Sequence, residues 1–83
     1  MEIDRINMKF RLEAGAIIKS TVKNHLNRMK RDLEWRDGLI SVDIYEEKYL
    51  LSSTFEVQIK HILESDAKAV ESAVEKYVAQ LGA

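Results

Sequence analysis

The spacing of the apolar residues changes along the chain, and this change restricts the possible folds more than any other feature. In RINMKFRLE, residues 5–13, apolar and polar side chains alternate, which is typical of a β-strand with one buried face. From about Ala16 the apolar residues recur every three or four positions, which predicts an amphipathic helix ending near Trp35. Gly38 follows and is suited to a left-handed turn. The apolar stripe of this helix consists of Ile18, Val22, Leu26, Met29 and Leu33.

Two further alternating stretches follow this helix. LISVDIY, residues 39–45, predicts a strand. EEK, residues 46–48, predicts a loose turn because it lacks the glycine or asparagine of the tightest hairpins. The alternation then continues through residues 49–62 and predicts a long third strand. The face of this strand that is expected to point inward carries Leu51, Ser53, Phe55, Val57, Ile59 and His61.

A second helical stripe completes the order β-α-β-β-α, which predicts a small α+β fold in a single domain, residues 1–83. Ser65 is expected to be the N-cap of this helix and Gly82 its stop. Because each strand has one polar face, both helices are expected to cover the same face of the sheet. The longest strand is placed centrally, so the predicted sheet order is 1-3-2. This is a two-layer sandwich of ferredoxin-like topology that lacks the last strand, and the likeness is one of topology only. The second stripe consists of Val70, Val74, Tyr77, Val78 and Leu81.

The lack of a fourth strand is expected to leave the outer edge of the first strand open. An open edge is a template for another chain unless it is blunted, and this stretch contains no proline and no evident bulge. We therefore predict a protein–protein interaction module that pairs through this edge, either with itself in a homodimer or with an extended segment of another protein. The candidate edge residues are Asn7, Lys9, Arg11 and Glu13.

The overall composition narrows the class of protein. The 83 residues include no cysteine, so neither a disulfide framework nor a thiolate metal site is available, which fits a reducing compartment. The chain contains no stretch of eighteen apolar residues, so no membrane span is predicted. The first ten residues contain no apolar signal region. The cytoplasm is the expected location, and no membrane partner is expected.

The basic residues of the first helix indicate nucleic-acid binding as the alternative function. Lysine and arginine side chains on the first helix could contact phosphates, together with the polar face of the sheet. The formal net charge of −1 opposes this reading, since nucleic-acid-binding domains usually carry a basic excess. A pair of exposed aromatic residues on the sheet, as in RNA-recognition domains, is also not evident. The candidate contacts are Lys19, Lys23, Lys30 and Arg31.

Three aromatic residues are candidate partner anchors. Trp35, at the exit of the first helix, is expected either to pack under the following strand or to anchor a partner protein. Tyr45 and Tyr49 flank the predicted EEK turn. They form either a cross-strand pair that holds this turn or an exposed contact patch.

No arrangement of residues predicts catalysis, so we expect no enzyme activity, no metal and no cofactor. His25 lies at the edge of the apolar stripe, where a packed, hydrogen-bonded side chain is expected, and neither histidine has a carboxylate at ligand spacing. Ser53 in mid-strand lacks the exposed turn of a serine nucleophile, although a buried hydroxyl there must be hydrogen-bonded. A small apolar ligand held beside Met8, Phe10 and Met29 is a further, less favoured alternative.

Overall fold

The computed structural model describes residues 5–81 and confirms the predicted order of elements. The predicted stop at Gly82 lies outside the described residues. A short 3-10 helix, Glu64–Asp66, precedes the second α-helix. The elements are β1 (Arg5–Gly15), α1 (Lys19–Arg36), β2 (Ser41–Lys48), β3 (Ser52–Leu63) and α2 (Ala67–Leu81).

The three strands form one antiparallel sheet in the order β1-β3-β2, as predicted. β3 is central because it pairs with both other strands: Val57 lies between Phe10 of β1 and Ile44 of β2. β1 and β2 both run antiparallel to β3 and are therefore parallel to each other, at opposite edges of the sheet. Within residues 5–81 the sheet thus has two edges, one on β1 and one on β2.

Both helices cover the same face of the sheet. The inward residues of β3 are fully buried, and they belong to one apolar cluster with residues of both helices. The opposite face carries alternating polar residues that are only partly covered. The buried cluster consists of Ala14, Val22, Leu26, Met29, Leu33, Ile40, Val42, Phe55, Val57, Ile59, Ile62 and Val70.

The helix ends differ from the predictions in detail. α1 begins at Lys19 because the chain first makes a turn in which the N–H of Ile18 donates to the carbonyl of Gly15. At the other end the left-handed turn predicted at Gly38 is wrong, since no described glycine has a positive φ. The side chain of Asp37 shapes this exit instead, because its Oδ1 accepts the N–H of Leu39 at 3.0 Å.

Ser65 is likewise not the N-cap of α2, contrary to the prediction. It lies within the 3-10 helix Glu64–Asp66, and α2 begins only at Ala67. The acidic residues of this short helix lie before α2, at the positive end of its dipole, where negative charges stabilise a helix.

The hairpin between β2 and β3 turns later than predicted. Residues 46–48 extend β2, and the loop consists of residues 49–51. The inward-facing side chain of Glu46 explains this register, because its Oε2 accepts the hydroxyl of the fully buried Ser53 at 2.9 Å. The predicted hydrogen bond of Ser53 is therefore confirmed. Leu51, predicted to point inward, is instead 77% exposed in the loop.

A bulge in β3 overturns the predicted orientation of His61. The partner of Ile6 is Ile62, whereas the partner of Met8 is Ile59, so β3 contains one extra residue opposite β1. His61 adopts a left-handed φ of 63° and is exposed, while Ile62 takes the buried position.

Two polar contacts hold the backbone of this bulge. The N–H of His61 donates to Asn7 Oδ1 at 3.2 Å. The carbonyl of His61 accepts Arg5 Nη1 at 2.8 Å, and the same guanidinium contacts Asp37 at 2.8 Å. The bulge therefore lies at the end of the sheet where β1 begins, away from the central part of β1.

Replacing His61 by glycine is expected to stabilise the protein. Glycine adopts a positive φ without the cost of about 1–2 kcal/mol that an L side chain carries. This gain exceeds the free-energy cost of ordering glycine, whose backbone has more freedom in the unfolded chain. We expect the free energy of unfolding in urea to rise by about 0.5 kcal/mol. Lys60→Gly, at a neighbouring position without positive φ, is the control and should lower it by about 1 kcal/mol. Equal losses in the two variants would contradict the role of the backbone angle.

Candidate functional site: the open edge of the sheet

The edge of β2 is blocked by two side chains of α1. Lys30 Nζ donates to the carbonyl of Val42 at 2.7 Å, and Glu34 Oε2 accepts the N–H of Val42 at 3.0 Å. Lys30 and Glu34 also form an ion pair at 2.9 Å, one helical turn apart. This arrangement, hereafter the Lys30–Glu34 clasp, satisfies both backbone groups that a further strand would need at this point.

The electrostatics of the clasp favour the charged carboxylate. The backbone N–H of Val42 lowers the pKa of Glu34 most, and the hydrogen bond from Lys30 lowers it further. Both contacts bind the ionised form, so the clasp is intact at neutral pH.

The clasp also shows which backbone groups of β1 face outward. Since Val42 points its N–H and C=O away from β3, Val42 and Ile59 are a non-hydrogen-bonded pair. Ile59 therefore directs its own groups toward β1, where it lies opposite Met8. The alternation along an antiparallel strand then turns the N–H and C=O of the residues after Met8 outward at every second position. The outward-facing residues in the centre of β1 are Lys9, Arg11 and Glu13.

These outward groups of β1 have no counterpart of the clasp. Among residues 5–81, no side chain hydrogen-bonds to a backbone N–H or C=O of Lys9, Arg11 or Glu13. We call this outer side of β1 the open edge. It coincides with the edge identified from the sequence. On the opposite edge, side chains of α1 cover the backbone at Val42, whereas the outward groups of Lys9, Arg11 and Glu13 on the open edge have no such cover.

The four predicted edge residues have different surroundings. Asn7 is committed to the bulge through His61, whereas Arg11 Nε lies 4.0 Å from Glu56 Oε1 on the neighbouring strand. Lys9 and Glu13 are exposed, and neither forms an ion pair within the described part of the chain. One positive and one negative charge on the open edge are therefore available to a partner.

An apolar groove runs beside the open edge on the helix side. The inward side chains of β1, Met8, Phe10 and Leu12, are only half-buried, whereas those of β3 are fully buried. Between β1 and α2 lies a groove of about 690 Å³. Its walls are formed by Met8, Lys9, Phe10, Arg11, Leu12 and Ile59 from the sheet and by Glu71, Val74, Glu75, Val78 and Ala79 from α2.

The groove exists because α2 covers the sheet incompletely. Val70 is the one fully buried residue of α2, and Val74 and Val78 of the predicted stripe remain half-buried along the groove. On its other side α2 contacts α1: the ring of Tyr77 packs edge-on against His25 at 5.1 Å, and its carbonyl accepts His25 Nε2–H at 2.9 Å. The expectation of a packed, hydrogen-bonded His25 is confirmed.

The candidate nucleic-acid contacts are partly engaged within the chain. Lys30 belongs to the clasp, and Lys23 Nζ lies 3.5 Å from Glu46 Oε1. The hydrogen bond from Ser53, followed by that from Lys23, lowers the pKa of Glu46, so this carboxylate offers a negative charge to the lysine. Lys19 lines a small cleft beside Lys23 and Glu46. Arg31 is exposed.

The three candidate anchors are all exposed. Trp35 is 89% exposed, so the interpretation in which it packs under the following strand is wrong. Tyr45 lies opposite Glu56 in the sheet and Tyr49 lies just beyond β2, so the two tyrosines are not a cross-strand pair. The nearby carboxylate of Glu47 raises the pKa of Tyr49.

No three histidine, aspartate or glutamate side chains within residues 5–81, the range that the structure describes, are grouped so that they could hold a metal ion. Neither helix within the range is both long and apolar enough to cross a membrane. Met29 is fully buried in the core, so of the three residues considered for a small ligand only Met8 and Phe10 line the groove.

Comparisons of the chain with protein-family models, with curated protein sequences and with solved structures return no match. The candidate site therefore rests on the geometry of this chain. Sequence reasoning located the open edge but missed the clasp, although a Lys–Glu pair four residues apart was a visible signal. It also missed the groove, which no local pattern encodes because its walls come from β1 and α2.

The clasp predicts a specific dependence of stability on pH. Because the pKa of Glu34 is lowered in the folded state, its contribution is present above the ordinary glutamate pKa of about 4.3 and is lost as the pH falls through the lowered value. Glu34→Gln should therefore be less stable than the wild type at pH 7, and this difference should shrink below about pH 4. Urea unfolding at several pH values measures it, with Glu75→Gln at an exposed carboxylate as the control. A difference that stays constant down to about pH 2 would contradict the assignment.

Proposed function

We propose that the protein is a non-catalytic protein–protein interaction module that self-associates through the open edge of β1. The observation that carries this proposal is the contrast between the two edges of the sheet. Val42 on β2 has both backbone groups satisfied by the clasp, whereas Lys9, Arg11 and Glu13 on β1 present theirs outward. The lack of cysteine fits a reducing compartment, and the cytoplasm is the proposed location.

Strand addition would satisfy two needs of this edge at once. A second strand would pair with the outward N–H and C=O groups, which is how exposed edges bind extended chains. It would also bring side chains over the half-buried Met8, Phe10 and Leu12 beside the groove, and apolar area removed from water stabilises such a contact by about 25 cal/mol per Å². A small core leaves a chain of this size dependent on such additional contacts.

The clasp explains why such an assembly would stop at two chains. Pairing of two β1 edges around a two-fold axis uses the same surface on both copies and joins the two three-stranded sheets into one. The outer edges of the joined sheet are then the two β2 strands, and each is already blocked at Val42 by its own clasp. The expected product is a closed dimer and not an open fibre.

Proline at the open edge tests this proposal. The N–H of Lys9 points outward, so Lys9→Pro removes a donor from the open edge without removing a hydrogen bond to β3, and edge strands tolerate proline. We expect the wild type to have the molar mass of a dimer by light scattering after size exclusion, and Lys9→Pro to have that of a monomer. Lys9→Ala, which removes the same charge but keeps the N–H, is the matched control and should remain a dimer. Circular dichroism checks that each variant is folded.

Two results would overturn the proposal. A wild type that remains monomeric at the highest measurable concentration would exclude self-association. A folded Lys9→Pro variant that keeps the mass of a dimer would place the contact elsewhere on the molecule, with the exposed Trp35 as the next position to replace.

Nucleic-acid binding through α1 stays the alternative proposal, with less support. Lys23 and Lys30 already pair with carboxylates, and on the polar sheet face Arg11 and Lys60 lie near Glu56 and Asp43. We therefore expect no binding of a labelled single-stranded or double-stranded oligonucleotide in fluorescence anisotropy at low salt. Affinity that falls steeply with added salt and is lost in Lys19→Glu would favour this alternative.

A further inference from the structure

We propose that the occupant of the open edge is a second copy of the chain, paired antiparallel in a register centred on Arg11. In this register Lys9 of each copy lies opposite Glu13 of the other. The inference rests on the proposed function and adds to it the alignment of the two strands. Its basis is the charge pattern of β1 together with the ion pairs that the chain already makes.

Two requirements leave few symmetric registers to choose from. Side chains on one face of a sheet lie opposite side chains on the same face, so the apolar residues of one β1 must meet those of the other on the helix side. The two-fold axis must then pass midway between the two copies of one residue. For the central part of β1 this residue is Phe10, Arg11 or Leu12.

The charges distinguish these three alignments. An axis at Phe10 would place Lys9 opposite Arg11 twice, and like charges directly opposite each other are destabilising. An axis at Leu12 would pair Arg11 with Glu13 but leave Lys9 opposite Gly15. An axis at Arg11 pairs Lys9 with Glu13 twice, and these two residues have no ionic partner within the described chain.

The remaining contacts are compatible with the axis at Arg11. The two Arg11 side chains meet at the axis, and each lies 4.0 Å from Glu56 of its own chain, which offsets their repulsion. On the helix side Phe10 lies opposite Leu12 and Met8 opposite Ala14, so that each larger side chain meets a smaller one. These residues extend the apolar cover along the groove of both copies. The outward backbone groups of the edge then form hydrogen-bonded pairs across the axis.

Charge reversal tests the register. Lys9→Glu places two glutamates opposite each other twice, and Glu13→Lys places two lysines opposite each other twice. Because each change replaces two attractive pairs by two repulsive ones, we expect the dissociation constant of each single variant to rise at least about tenfold. The double variant Lys9→Glu/Glu13→Lys restores both attractive pairs and should dimerise within about threefold of the wild type. Sedimentation equilibrium at low salt measures all four proteins.

A mixture of the two single variants provides a sharper test. In the proposed register a Lys9→Glu chain and a Glu13→Lys chain form two attractive pairs with each other, one at each end of the contact, whereas each variant alone forms two repulsive pairs. Two proteins that dimerise poorly alone should therefore form a heterodimer when mixed. One of the two variants is labelled uniformly with ¹⁵N, so that the heterodimer and the two homodimers differ in mass in native mass spectrometry. Absence of a heterodimer would overturn the register.

The outcomes separate failure of the register from failure of the proposed function. If Lys9→Glu strengthens the dimer, the axis lies at Phe10, and if only Glu13→Lys weakens it without rescue by the double variant, the axis lies at Leu12. Both results overturn this inference but leave pairing through the open edge in place when Lys9→Pro is monomeric. A monomeric wild type, or a dimer that neither proline nor charge reversal weakens, overturns both proposals.

Discussion

Every backbone N–H and C=O at a sheet edge needs a hydrogen-bond partner, and this need governs the arrangement of the molecule. The sheet has three strands, so only β3 has neighbours on both sides. On β2 the Lys30–Glu34 clasp meets this need at Val42 and ties α1 to that edge. With α1 held toward β2, α2 packs against α1 and the rest of the sheet and leaves the outer margin of β1 uncovered.

The two edges therefore suit different purposes. A blocked edge at β2 limits growth of the sheet and protects the chain from indiscriminate pairing. An open edge at β1, bordered by half-buried Met8, Phe10 and Leu12, combines unpaired backbone groups with apolar area in one place. In the proposed dimer the charges of Lys9 and Glu13 would favour one alignment, since charges contribute more to specificity than to affinity.

The basic character of α1 has a structural explanation in this arrangement. Lys30 takes part in the clasp, and Lys23 contacts Glu46, which in turn accepts the buried hydroxyl of Ser53. These lysines join the helix to β2 and to the hairpin. Their carboxylate partners come from positions distant in the sequence or one helical turn away, so a count of basic residues along α1 overstates the positive charge that a ligand would meet.

The sequence by itself determined the element types, their order, the central place of the third strand and the identity of the open edge. These follow from periodicity and from strand length, which are local properties that a single chain displays directly. The alternation of β1 and the stripe of α1 were read correctly, except that Ile18 precedes the helix and is 50% exposed, because burial of one face is strongly favoured and leaves a regular pattern.

Only the tertiary structure decided the features in which one element responds to another. The bulge at His61 and the late hairpin turn depend on Asn7 and Glu46, which bond to residues on neighbouring strands. The exposure of Trp35 depends on where the exit of α1 directs the chain, which no local pattern encodes. The clasp and the groove likewise join residues brought together by folding, because hydrogen bonds and packing act between atoms that are close in space, whatever their separation in sequence.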